Sequence, residues 1–191
     1  MASVITATTT SGLTQQADNS GVLQLASGTG NLVTVPSVTG TAMVSGNMPA
    51  FSVTNSTNQS YSINTFTKVL FQTKTFDTAN CFDNSTNYRY TPNVAGYYMF
   101  IAELNHDWGG AAGNAINTNI YKNGSNYQAV STRGNSGTGP YGGVQASSLI
   151  YMNGSTDYVE VYTWSNNGSP SVVTNSSNGA TIFSGYLVRA A

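Results

Sequence analysis

The chain has 191 residues, of which 39% are hydrophobic and only 7% are charged, and its formal net charge is −1. Six basic and seven acidic residues provide no electrostatic footprint for nucleic acid and no cationic patch for an acidic membrane surface, so we exclude both as partners. Long charged side chains, which cover the exposed faces of helices, are scarce. Thr, Asn, 12 Tyr and 20 Gly suit strands and tight turns instead, so we predict an all-β fold.

Residues 1–47 are small and polar, and no aromatic residue occurs before Phe51. Because this segment has too little apolar bulk for a core of its own, we predict an extended attachment arm that becomes ordered by docking on a partner. It shows no basic start followed by an apolar block, so we expect no secretory signal. Two short apolar runs supply the candidate attachment residues: Val22, Leu23 and Leu25, then Leu32, Val33 and Val35.

Residues 48–191 are predicted to form a separate head domain, in which strand signals recur at short intervals. Asn-Gly pairs at 123–124 and 153–154 accept positive φ and favour tight hairpin turns between strands. Nine or ten strands of this length are typical of a two-sheet sandwich or jelly roll. The predicted strands cover residues 51–54, 66–71, 88–91, 97–104, 116–121, 127–130, 145–152, 158–164 and 181–188.

One predicted strand is apolar on both of its faces. Tyr98, Phe100 and Leu104 share one face, while Tyr97 and Met99 lie on the other. The last strand shows the same pattern. A strand that is apolar on both faces has to be covered twice, once by the opposite sheet and once by something else.

The stretch from Phe71 to Phe100 resembles the signature of the globular head of complement component 1, q subcomponent, whose fold is shared with the tumour necrosis factor superfamily. The stretches 49–53, 120–124, 149–159 and 183–187 are similar to later or earlier parts of the same domain. The residues that carry the first match are Phe71, Asp77, Phe82, Tyr90, Gly96, Tyr98 and Phe100. The resemblance implies a two-sheet jelly roll.

In the family that the chain resembles, a neighbouring subunit around a threefold axis supplies the second cover. The resemblance therefore implies a homotrimer, which also shields sheet edges. It leaves open which aromatic residues line the axis. The candidate trimer-interface and core residues are Phe51, Tyr98, Phe100, Leu149, Phe183, Tyr186 and Leu187.

The polar leader running into residues 45–51 resembles phage virion proteins that carry this head domain. It implies a structural protein on the virion surface: a capsid decoration (cement) protein whose arm binds the major capsid protein or another virion protein. The alternative is the receptor-binding tip of a tail or head fibre, with loops 106–115, 133–143 and 165–179 presented to a host glycan or protein. A secreted cytokine-like ligand is a third class, and the absence of a recognisable secretory signal argues against it.

The sequence offers few candidate catalytic residues. His106 is the only histidine, so a multi-histidine metal site is excluded, and no Gly-x-Ser-x-Gly elbow occurs. We interpret His106 as a loop or interface residue, and Trp108 and Trp164 as interface or core residues in preference to sugar-stacking ones. Asp77 or Asp83 is the candidate if the calcium binding of some relatives with this head is retained. We expect a protein that is not an enzyme and has no cofactor.

Overall fold

The computed structural model describes residues 23–26, 32–35, 48–107, 115–133, 141–166, 171–172 and 181–191. Residues 1–41 form one unit and residues 42–191 a second. In the first unit, strand β1 (Leu23–Ala26) pairs antiparallel with β2 (Leu32–Val35). The two apolar runs of the predicted arm thus coincide with two paired strands. Val22 lies outside the described residues, and the attachment role of the runs stays a prediction.

The second unit consists of strands joined by turns, and no helix occurs among the described residues. Consequently, no helix in the described ranges could cross a membrane. The strands are β3 (Ala50–Thr54), β4 (Gln59–Ser60), β5 (Thr67–Lys68), β6 (Thr73–Asp77), β7 (Phe82–Asp83), β8 (Arg89–Tyr90), β9 (Gly96–Asp107), β10 (Ala115–Lys122), β11 (Ser125–Arg133), β12 (Tyr141–Met152), β13 (Val159–Ser165), β14 (Ser171–Val172) and β15 (Ile182–Ala190).

The strands pair antiparallel in two sheets. Sheet 1 has β9 at its centre, with β12 along one side and β15, β3 and β6 in succession on the other. The short strand β14 pairs with the last two residues of β9, and β4 pairs with β14. Sheet 2 has the order β11-β10-β13-β8-β7, and β5 also pairs with β13. This confirms the predicted two-sheet, all-β architecture.

All nine predicted strands overlap a strand of the structure, with longer or shorter bounds. The predicted strand 66–71 is wrong in length, because only Thr67–Lys68 pairs with β13. Strands β4, β6, β7 and β14 were not predicted. Three of them are two residues long, and β6 reads TKTFD, which lacks the apolar alternation that marks a half-buried strand.

An aromatic core lies between the sheets. Phe51 of sheet 1 stacks on Tyr90 of sheet 2, with ring centroids 4.2 Å apart, and meets the ring of Phe183 edge-on at 5.0 Å. Phe100 packs against the same rings. Aromatic side chains bury large areas and favour these offset and edge-on arrangements, so the cluster locks the two sheets together.

Candidate functional site

The outer face of sheet 1 carries a set of large apolar side chains that the subunit itself does not cover. These side chains are 43% to 49% exposed, and we call them the apolar patch: Tyr97, Leu149, Tyr151, Tyr186 and Val188. Isolated exposed apolar residues are ordinary, but a contiguous group of this size marks an interaction surface.

Strand register brings the patch together. Tyr97 lies directly opposite Tyr151 in the β9–β12 pair. In the next row on this face, Met99 lies between Leu149 of β12 and Tyr186 of β15. Three adjacent strands therefore contribute apolar side chains to one end of this face, where the exposed Arg189 of β15 also lies opposite Tyr97.

The other end of the same face is more polar. Ile101 lies between Ser147 and Ser184, and beyond it Glu103 lies between Gln145 and Ile182. Glu103 is exposed. The large apolar side chains are thus concentrated at the Gly96 end of β9, and the face becomes more polar toward the other end of the strand.

Alternation along β9 explains why the patch exists. Tyr98, Phe100, Ala102 and Leu104 are completely buried against the opposite sheet. Their neighbours in sequence must point away from the core because successive side chains of a strand lie on opposite faces. This agrees with the assignment of Tyr97 and Met99 to the second face.

The structure divides the candidate interface and core residues into two groups. Leu149 and Tyr186 lie on the apolar patch. The other five are at most 2% exposed and belong to the core of the subunit: Phe51, Tyr98, Phe100, Phe183 and Leu187. Tyr97, Tyr151 and Val188 were not among the candidates, although the alternation that identified the face of Tyr186 also identifies Val188 as its neighbour on that face.

The interpretation of His106 as a loop or interface residue is wrong. It lies in β9, is completely buried, and places Nδ1 2.9 Å from the Tyr61 hydroxyl. Burial lowers the pKa of His106 to about 4 and raises that of Tyr61 to about 12, so both groups are neutral at pH 7. This pair belongs to the interior of the sandwich. Trp108 lies outside the described residues, as do most residues of the three candidate loops.

The two candidate calcium ligands bind parts of their own segment. Asp77 accepts hydrogen bonds from Lys74 Nζ at 2.9 Å and from the backbone N–H groups of Cys81 and Phe82. Asp83 accepts backbone N–H groups of residues 85–87, which hold the pKa of its carboxyl far below the usual range. Within the part of the chain that the structure describes, no group of three or more His, Cys, Asp or Glu could hold a metal ion.

No family model and no curated protein matches the chain. Among solved structures, it is similar to the globular domain of a zebrafish complement 1qA protein, at 19% identity and a TM-score of 0.49, over 75% of this chain and 99% of that chain. It is also similar to murine APRIL at 10% identity over 74% of this chain and 99% of that chain, with TM-scores of 0.55 and 0.52 for the pH 5.0 and pH 8.0 structures. The likeness to murine APRIL shows a tumour necrosis factor-like jelly-roll fold.

Proposed function

We propose that this chain is a non-enzymatic structural and binding protein that acts as a homotrimer, with the apolar patch of each subunit buried against its neighbours. The single observation that carries the proposal is the patch itself. Three of its five side chains are tyrosines, a residue type that is enriched at the centres of protein interfaces. The net charge of −1 adds little repulsion between copies. The threefold symmetry rests on the resemblance of residues 71–100 to the complement head.

The test compares two lysine substitutions at equally exposed tyrosines of the full chain. Tyr186 lies on the apolar patch and is 49% exposed, whereas Tyr127 lies in sheet 2 and is 52% exposed. We expect the wild type and Tyr127→Lys to sediment as trimers and Tyr186→Lys to sediment as a monomer, because trimerisation would bury its ammonium group without a partner. A monomeric wild type at high concentration, or a trimer that survives Tyr186→Lys, contradicts the proposal.

We further infer that the trimer is a virion structural protein at the particle surface, a capsid decoration protein attached through residues 1–47. Support comes from the sequence: a polar arm precedes the head, and the junction at residues 45–51 resembles phage virion proteins that carry such a head. A decoration protein that binds only the assembled shell stabilises it by mass action. The runs at Leu23–Leu25 and Leu32–Val35 are the proposed contacts to the major capsid protein or another virion protein.

A three-dimensional reconstruction of particles that contain the chain tests this assignment. Many threefold densities spread over the head would agree with decoration, whereas a few copies at the end of a tail or head fibre would favour the receptor-binding alternative. Substituting Leu25→Asp together with Val33→Asp in the full chain should remove the trimer from the particles without dissociating it. A doubly substituted trimer that still decorates particles would refute the role of the arm.

A further inference from the structure

The outer face of sheet 2, on the opposite side of the sandwich from the apolar patch, carries a row of polar side chains along β10. Thr118 points into the core, where its hydroxyl donates to the Val144 carbonyl of sheet 1 at 2.9 Å, and Ile120 belongs to the core cluster. By alternation, Asn117, Asn119 and Tyr121 lie on the outer face.

The neighbouring strands flank this row, which we call the floor, on both sides. Asn119 lies between Ala129 of β11 and Tyr162 of β13. Asn117 lies in the same way between Ser131 and Trp164. One side of the floor therefore carries small, exposed residues and the other carries aromatic rings. We call these six residues the amide groove: Asn117, Asn119, Ala129, Ser131, Tyr162 and Trp164.

The aromatic side of the groove is held in place by further rings. Tyr162 stacks on Tyr121 with centroids 4.2 Å apart and an interplanar angle of 27°. Trp164 lies 6.2 Å from the ring of Phe66, which is half exposed. Rings supported in this way form a wall with little conformational freedom to lose when a ligand packs against it.

Three polar atoms of the two floor amides lack hydrogen-bond partners. Asn119 is completely buried, and neither its Nδ2 nor its Oδ1 has a partner; the Oδ1 of Asn117 is likewise buried and unpartnered. Buried side-chain amides are almost always hydrogen-bonded, and leaving one unpaired is costly. These atoms have no exposed surface in the free subunit, so a ligand reaches them only when neighbouring side chains move aside. Its hydroxyl groups would then satisfy all three atoms.

An ion pair lies beside the aromatic side of the groove. Lys68 and Glu160, beside Tyr162, form an ion pair with each other. Aromatic walls combined with a few placed polar groups and a charged pair that neutralises itself are suited to a neutral ligand that is apolar on its ring faces and rich in hydroxyls at its edges. We propose that the amide groove binds a neutral saccharide, whose ring packs on Tyr162 and Trp164 and whose hydroxyls bond Asn117 and Asn119. Because the groove lies on the other sheet, it does not depend on the trimer proposed above.

The test titrates the full chain with the methyl glycosides of glucose, galactose, mannose and N-acetylglucosamine at millimolar concentrations, read by saturation-transfer NMR and tryptophan fluorescence. We expect at least one of them to bind saturably. Asn119→Leu should weaken that binding by about tenfold or more while raising the melting temperature, because it removes a buried, unpartnered amide. A purely structural Asn119 would instead lower the melting temperature when replaced.

A matched pair of variants controls for indirect effects. Phe66 and Phe76 are 48% and 47% exposed, but only Phe66 supports the groove. Phe66→Ser should weaken saccharide binding severalfold, and Phe76→Ser should leave it unchanged. The proposal is overturned if none of the four glycosides binds, if Asn119→Leu binds as well as the wild type, or if Asn119→Leu destabilises the fold.

Discussion

Tyr97 and Tyr151 lie directly opposite each other on β9 and β12, with ring centroids 5.5 Å apart at 61°, yet each keeps more than two-fifths of its surface exposed. The edge-on contact orders both rings on the outer face of sheet 1. An exposed aromatic pair of this kind is suited to contacting a partner surface.

Replacing both Tyr97 and Tyr151 with Ser should weaken the association of subunits by at least about tenfold, because interface aromatics commonly contribute more than 1 kcal/mol each. Sedimentation equilibrium over a range of concentrations measures the change. Ile63→Ser, at an equally exposed position outside the strands, is the control and should not alter the association constant. Unchanged association of the double variant would remove this pair from the interface.

Gly185→Ala should destabilise the fold by about 1–3 kcal/mol, the usual cost of overpacking a core. A Cβ at this position would lie 2.8 Å from Phe100 Cδ1 and 2.9 Å from Phe51 Cε1, so the two central rings would have to move. Urea denaturation measures the difference. Gly143→Ala is the matched control in the same sheet, because its Cβ would meet only Glu103 Oε1 at 3.7 Å, an ordinary contact. Equal stabilities of the two variants would contradict the packing described for Gly185.

His106 should make stability depend on pH in a defined window. The pKa of His106 is about 4 in the folded chain and 6.5 in the unfolded chain. As pH falls below 6.5, the imidazole is therefore protonated in the unfolded chain but stays neutral in the folded chain, which favours unfolding. Stability is fully present above pH 6.5 and should fall by about 3 kcal/mol between pH 6.5 and pH 4.

Denaturant unfolding at a series of pH values tests this window, and His106→Gln should flatten the curve within it. NMR titration of the only histidine in the chain gives its folded pKa directly. An imidazole that titrates near 6.5 in the folded protein would show that His106 is not buried as described.

Asp77→Ala should destabilise the fold by about 2–4 kcal/mol, because it leaves the partly buried N–H groups of Cys81 and Phe82 without their acceptor and removes the ion pair with Lys74. The side chain of Asp77 is only 3% exposed, so its hydrogen bonds are shielded from water in the native fold. Asp83→Ala removes a comparable number of backbone hydrogen bonds at an exposed turn and should cost less. Thermal unfolding of the two variants compares them, and a larger loss for Asp83→Ala would be inconsistent with this account.

The core and the long strands were predictable because their signals are local. Alternation of Tyr98 and Phe100 with Tyr97 and Met99 places each residue on a face, and it did so correctly for β9 and β15. Strands β4 and β7 are two residues long and exist only because a partner strand passes beside them. Such pairing depends on contacts distant in sequence, which periodicity does not report.

The candidate site was only partly predictable for a related reason. A side chain that is apolar serves equally well in the core or at an interface, so Phe51 and Tyr186 were grouped together although one is buried and the other is half exposed. Register between β9, β12 and β15 separates the two groups. A histidine occurs both in loops and in protein interiors, so its residue type could not predict the position of His106. Only the tertiary structure shows that it lies inside the sandwich.

The sequence by itself determined the all-β class, the two faces of the long strands and the resemblance to the complement head, because composition, alternation and spacing are carried by residues near one another in the chain. Only the tertiary structure decided which apolar face stays uncovered and which amides and which histidine are buried. Those properties depend on which strands become neighbours, and that is settled by packing between segments far apart in sequence.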